Sequence, residues 1–217
     1  SKGGAGMVVV EISCIDSPTG KGLLGQIGID HDKYLPGLAE LAEAIKRHGA
    51  RAAIQLHHAG RSATRYASGV QAVAPSAIAP PGYETPRELA LDEVHRLVDC
   101  YALAAERAKK AGFDGVEIHG AHLYLIAQFL SSAWNRRRDD FGGSLENRAR
   151  FLLDIIRHSR KRVGPDYPLW IRINGEEVGV QNGIRLEESQ QVARWAEEAG
   201  ADAIHVSAWG EGPALYK

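Results

Sequence analysis

The chain predicts an α/β fold built on a parallel sheet, and favours a TIM-type (β/α)8 barrel over an open sheet. Three observations lead there. Apolar runs of strand length alternate with stretches of helical periodicity, a pattern that calls for parallel strands joined by right-handed crossovers. Arg47-His48-Gly49-Ala50, Lys110-Ala111-Gly112-Phe113 and Glu198-Ala199-Gly200-Ala201 each close a helix just before a strand. No Gly-x-Gly-x-x-Gly follows any strand, which weighs against a dinucleotide-binding open sheet. Five strands are legible, too few to close a barrel.

The elements follow in order. Met7-Val8-Val9-Val10-Glu11-Ile12 is a near-continuous apolar strand, of the kind buried on both faces of a parallel sheet. Residues 13–28 form a loop punctuated by Pro18, Gly20, Gly22 and Gly25. Leu35, Leu38, Leu41, Ala42 and Ile45 recur at helical spacing between His31 and His48, and Gly49 stops that helix. Ala52 to Leu56 is the second strand, running into His57-His58-Ala59-Gly60-Arg61.

Residues 62–90 carry four prolines and little periodicity, and a loop that long inside a compact domain serves as a functional lid or wall. Asp92 is the expected cap of a helix reaching Lys110. Gly115 to Ile118 is the central strand, and Ile126 to Leu130 a short apolar turn of helix. Ser144 is placed to cap a helix over Leu145–Val163. Leu169 to Asn174 is a fourth strand, Glu187 to Glu198 a helix, and Ala203 to Ser207 a fifth strand.

Composition excludes several function classes. The 217 residues suit one large domain, and a formal net charge of −1 gives no pull toward nucleic acid or anionic membrane. Arg136-Arg137-Arg138 reads as a solvated loop, since no aromatic residues interleave it. Cys14 and Cys100 stand far apart without a Cys-x-x-Cys, so neither a disulfide framework nor a zinc or iron–sulfur site is expected, and Cys14 reads as structural. No apolar run approaches membrane-spanning length, and a cytoplasmic setting is the default expectation.

Chemistry concentrates in Gly115-Val116-Glu117-Ile118-His119-Gly120-Ala121-His122-Leu123-Tyr124. A buried strand here delivers two imidazoles and a phenol to its carboxyl end, where α/β folds carry their sites. Four of the five strands, this one included, end on polar residues two apart, hence on one face: Gln55 and His57, Glu117 and His119, Arg172 and Asn174, His205 and Ser207, with Glu11 and Ser13 the analogue on the first. Burying polar groups costs free energy unless something pairs with them, so their convergence points to a shared ligand; a self-satisfied polar layer is the alternative for each pair. Gln55 and Arg172 suit a planar heterocycle with carbonyl acceptors and developing negative charge. His119 and His122 are spaced to grip one carbonyl oxygen, and Tyr124 can donate a proton to carbon. Such chemistry needs a redox cofactor that side chains cannot replace.

Residues 112–122, Tyr124-Leu125-Ile126, Gln128-Phe129-Leu130-Ser131, Phe141 to Phe151, Ile54-Gln55-Leu56, His58-Ala59-Gly60-Arg61 and Ile171-Arg172-Ile173 together resemble the old yellow enzyme family. The nearest subgroup is the bacterial NADH:flavin oxidoreductases, 2-enoate reductases and 2,4-dienoyl-CoA reductases, which share the His-x-x-His form. The resemblance implies an FMN-binding (β/α)8 barrel that passes hydride from NADH or NADPH through FMN to an activated C=C bond of an enone, enoate or enoyl thioester. It implies that His119 and His122 polarise the substrate carbonyl, that Tyr124 protonates the α-carbon, and that Gln55 and Arg172 bind the flavin pyrimidine. Ile12 or Ser13 would approach the flavin edge, and homo-oligomers would be common.

Against the family pattern, residues 1–217 are expected to be a partial barrel domain, strands two to six, lacking strand one and strands seven and eight. The given chain is then expected to bind FMN weakly or not at all, and longer parents would add a 4Fe–4S cluster and FAD. Two rival readings stand beside this one: a metal-dependent barrel hydrolase using His57, His58, His119 and His122, and a non-catalytic barrel fragment.

Overall fold

The computed structural model describes residues 1–79 and 82–210. Five parallel strands form its main sheet: β1 (Met7–Cys14), β2 (Arg51–His57), β5 (Gly115–Gly120), β6 (Leu169–Val178) and β7 (Ala203–Gly210). Their spatial order, β1-β2-β5-β6-β7, is their order in sequence. A strand order that never reverses leaves no switch point of the open doubly wound kind; it is the order of consecutive barrel strands, as predicted. The crossovers are α1 (Leu35–Lys46), α3 (Leu91–Lys110), α5 (Leu145–Val163) and α6 (Leu186–Ala199).

The two faces of the sheet differ. Ile54, Leu56, Val116, Ile118, Leu169, Ile171 and Ile173 join one apolar core with the buried stripes of the helices. In α3 that stripe is Val94, Leu97, Val98, Tyr101, Ala104, Ala105 and Ala108, whose alanines let the helix lie close to the strands. Phe129 stacks on Phe151 at 4.3 Å and completes the core beneath the short helix α4 (Leu125–Leu130). The alternate residues, Ala53, Gln55, His57, Glu117, His119, Trp170, Arg172 and Asn174, face the other way, which is the inside of a barrel wall. At its amino end this inner face has an apolar cavity of about 260 Å³ lined by Met7, Ala53, Gly115 and Trp170, opposite the polar cluster.

Several expectations need adjusting. Residues 62–90 carry more structure than a bare loop: a single turn, α2 (Arg65–Ser68), and a two-residue parallel ladder of β3 (Val73–Ala74) with β4 (Arg87–Glu88). Asp92 lies inside the first turn of α3 rather than capping it; the Glu93 carboxylate accepts the Ala90 backbone N–H instead. Ser144 caps α5 as expected, accepting from the Asn147 N–H. Arg137 is not a solvated residue of a basic run. It is 7% exposed and donates to the carbonyls of Pro75 and Leu89 and to Asp139, pinning the 62–90 segment to the barrel wall, while Arg136 and Arg138 are exposed. A guanidinium with five donors can satisfy several buried carbonyls at once, which a sequence run does not disclose.

One device recurs at the amino ends of the strands. Asp114 donates its backbone N–H to Ala52 O while its carboxylate accepts the Ala52 N–H; Asp202 does the same to Leu169. Both follow an Ala-Gly helix stop, so each crossover ends in a clamp onto the preceding strand. Asp114→Ala should therefore lower unfolding stability by about 1–3 kcal/mol, through the orphaned Ala52 N–H. Chemical denaturation measures this, and a change within error would remove the clamp's role.

Candidate active site

The polar residues predicted to share one face do so, and the register brings them together. Gln55 pairs with Glu117, His119 with Arg172, Arg172 with His205 and Asn174 with Ser207 across neighbouring strands. Gln55, His57, Glu117, His119 and Asn174 are each at most 5% exposed. Hydrogen bonds knit part of this layer. Glu117 accepts from Gln55 Nε2, Trp170 Nε1 and His205 Nδ1, and Ser207 Oγ contacts both His122 Nε2, at 2.6 Å, and Arg172 Nη2, at 3.4 Å.

The loop after β5 turns sharply. His122 and Leu123 both have positive φ, 55° and 60°, a left-handed conformation that side chains with a Cβ adopt at a cost. Surrounding groups hold the turn. Asn174 Oδ1 accepts the His122 N–H at 3.2 Å, and the Leu123 carbonyl accepts from Gln128 Nε2 and from Ser62 Oγ. Gln128, wholly buried in α4, also accepts the Arg61 N–H, so one amide ties the end of β2 to the end of β5. Gly60 sits against that amide with φ of 59°, where a Cβ would overlap it. Sequence patterning does not single out Gln128; its one signal there is being the lone polar residue in Leu-Ile-Ala-Gln-Phe-Leu.

This turn brings the three predicted catalytic side chains into one cluster. The His119 ring lies 5.0 Å from His122 and 5.1 Å from Tyr124, centre to centre. His57 completes it, edge-on to Tyr124 at 4.2 Å and 5.8 Å from His119. His58 faces the other side, with Nδ1 accepting the Gly60 N–H and Nε2 3.7 Å from Asp16. The two adjacent histidines thus diverge, which breaks up the four-histidine ligand set of the hydrolase reading; no group of three metal-ligating side chains is found among the described residues. Of the flavin-edge candidates, Ser13 is buried and donates to its own chain at Glu11 O, and the Ile12 carbonyl accepts from Gln26 Nε2. A bulge in β1 between Val10 and Ser13 sets them apart from the ring cluster's regular register. Cys14 is buried, its thiol pushed up to about 11 by burial, which suits a structural residue.

Burial governs the ionisation of the cluster. It pushes His119 down to about 3, with the charges of His122 and Arg172 adding to the effect. Burial also holds His57 well below the usual histidine range and lowers His122. Tyr124 is shifted up by burial and by the charge of Glu11, so its phenol keeps its proton at neutral pH. The result is three neutral imidazoles and a protonated phenol around one space. Several of their polar atoms have no hydrogen-bond partner among the described residues: both nitrogens of His57, Nδ1 of His119, Nε of Arg172 and Nδ2 of Asn174. Buried orphans of this kind cost roughly 1–3 kcal/mol each, and their concentration at one strand end is the mark of a ligand site.

Stability should carry the imprint of these histidines. Their folded pKa values lie below the unfolded value of 6.5, so the unfolded chain binds the proton first. Stability is then fully present above pH 6.5 and lost as pH falls toward about 3. The slope is at most about 1.4 kcal/mol per pH unit for each histidine. Denaturant melts at pH 7 and pH 5 should show this loss, with His119→Gln reducing it; equal stability at both pH values would contradict the assignment. Separately, Gly60→Ala should cost about 1–3 kcal/mol in the same assay, from left-handed strain and overlap with Gln128.

Comparison with known proteins places this geometry. The NADH:flavin oxidoreductase / NADH oxidase family model matches residues 1–210. An NADH oxidase of Thermoanaerobacter brockii is 46% identical over 210 residues, covering 96% of this chain and 32% of the relative. An NADPH dehydrogenase of Halalkalibacterium halodurans is 41% identical over 212 residues, covering 98% and 61%. Among solved structures, a 2-naphthoyl-CoA reductase in complex with 2-naphthoyl-CoA superposes with a TM-score of 0.89 at 37% identity, covering 96% of this chain and 34% of that one. The chain thus spans about a third to three fifths of the length of these relatives. With a family match across the sheet, the helices and every residue of the ring cluster, the chain belongs to the NADH:flavin oxidoreductase / NADH oxidase family, the old yellow enzyme group that its central motif resembles.

Proposed function

We propose that this chain carries the reaction centre of an FMN-dependent reductase of activated C=C bonds. In this reading His119 and His122 hold the substrate carbonyl, Tyr124 supplies a proton to carbon, and Gln55 and Arg172 hold the flavin pyrimidine. The observation that carries it is the convergence of His122 and Tyr124 on His119, each ring centred about 5 Å from that imidazole, beside unpartnered donors on Arg172 and Asn174. When bound, FMN supplies the hydride transfer that no side chain can perform.

The chain's own residues fit that partner. Arg172 brings a guanidinium with an unpartnered Nε, so it offsets negative charge on an adjacent ring. Gln55 brings a carboxamide to the same layer from β2. His119 and His122, neutral because burial lowers their pKa values, act as hydrogen-bond donors to a carbonyl oxygen and withdraw charge from it without transferring a proton. Tyr124 holds its proton until carbon receives it, and its position at the start of α4 fixes the phenol against His57.

Residues 1–217 are, on this reading, strands two to six of an FMN-binding barrel whose remaining strands lie elsewhere in a longer protein. NADH or NADPH would reduce the flavin, as the names of the two relatives accord with. An enone, enoate or enoyl thioester would accept the electrons; the thioester bound by the 2-naphthoyl-CoA reductase favours including that class. No described helix is long and apolar enough to cross a membrane, which accords with a cytoplasmic enzyme.

The test is a visible spectrum of the full-length protein with FMN, then NADH, then an enone. A flavin band that bleaches and recovers is expected, and no band in excess FMN would sink the proposal. Tyr124→Phe should leave bleaching by NADH unchanged while slowing recovery with enone by about 10²–10⁴-fold. Equal recovery rates in the two proteins would remove Tyr124 from the proton-donor role.

A further inference from the structure

Glu117 lies beneath the ring cluster, 2% exposed, and has no part in the proposed reaction. Its carboxylate receives three donors from three different strands: Gln55 Nε2 of β2 at 2.5 Å, Trp170 Nε1 of β6 at 2.7 Å and His205 Nδ1 of β7 at 2.7 Å. A carboxylate without a proton only accepts, and an indole N–H only donates. The Gln55 amide is therefore not free to choose which end it turns inward. Nε2 must face Glu117, and among the described residues Oε1 takes no hydrogen bond.

We infer that Glu117 is a positioning residue, which fixes the Gln55 carboxamide so that its oxygen, and not its nitrogen, is offered to the bound ring. Resting on the FMN reading, this makes Gln55 an acceptor for the imide N–H of the flavin pyrimidine and leaves the donor role in that layer to Arg172. Without Glu117 the two ends of the amide are nearly isosteric, and the flipped form would set an N–H against an N–H. Burying a carboxylate is costly, and three donors from neighbouring strands are what keep it in place. Glu117 thereby also couples the orientation of Gln55 to the register of β6 and β7.

The test compares FMN with 3-methyl-FMN, whose imide N–H is replaced by N–CH3, by flavin fluorescence titration of the full-length protein. Wild type should prefer FMN by about tenfold or more, the loss expected for one buried hydrogen bond together with crowding by the methyl group. Glu117→Gln, whose amide can donate as well as accept, releases the flip and should shrink that preference to a few-fold by weakening FMN binding. Glu117→Asp keeps an acceptor and should retain it. Equal weakening of both flavins in Glu117→Gln, with the preference intact, would mean a purely structural carboxylate and overturn the inference. A second readout needs no change at Glu117. In the 15N–1H spectrum of wild type, one Nε2 proton of Gln55, assigned by its loss in Gln55→Leu, should lie well downfield of its partner. A pair at the positions of an exposed glutamine would equally overturn it. Failure of wild type to bind either flavin would remove the FMN reading itself, and this inference with it.

Discussion

Strands β2, β5 and β6 end in buried polar side chains, and each of those groups must find a partner on a neighbouring strand or remain unpaired at a cost of about a kcal/mol or more. The organisation of the molecule follows from that constraint. Glu117 answers it for Gln55, Trp170 and His205, and Ser207 answers it for His122 and one arm of Arg172. The groups left over, on His57, His119, Arg172 and Asn174, are what mark the candidate site. The four long crossover helices take no part in this pairing. They cover the other face, and their contribution is an apolar core that holds the strands in register while the inner face stays polar.

The turn after β5 shows how that rigid wall is converted into a site. Two successive residues in left-handed backbone would be an unfavourable loop on their own. They persist because Asn174, Gln128 and Ser62 each hold a backbone group of the turn. The strain has a geometric product: it swings His122 back toward His119 and sets Tyr124 at the head of α4, so that three rings from six consecutive residues meet in space. The same burial that assembles the rings lowers the pKa values of His119 and His122, so the cluster presents neutral imidazoles at neutral pH.

Support comes from farther out. Arg137 ties the 62–90 segment to the wall through backbone carbonyls, and Gln128 links the ends of β2 and β5. Neither residue is in the ring cluster, yet each fixes a segment that borders it. Buried side chains with several donors or acceptors suit this work, because one group satisfies carbonyls and N–H groups from distant parts of the chain.

Much of this is legible in the sequence. Period-two and period-3.6 patterns place apolar residues on one face, so β2, β5, β6 and the four long helices can be read within a few residues of their ends. Polar residues two apart at strand ends necessarily share a face, which is why strand geometry alone groups Gln55, His119, Arg172 and Asn174. Other features depend on contacts between residues far apart in the chain, and no local pattern encodes them. The burial of Arg137, the Glu93 cap in place of Asp92, the role of Gln128 and the three-strand convergence on Glu117 are all of this kind. The sequence by itself determined the fold class and which side chains share the inner face, because both follow from local periodicity and the geometry of a strand. Only the tertiary structure decided which of those side chains pair with each other, which stay unpartnered and which lose their charge, because pairing and desolvation depend on what the rest of the chain brings within a few ångströms.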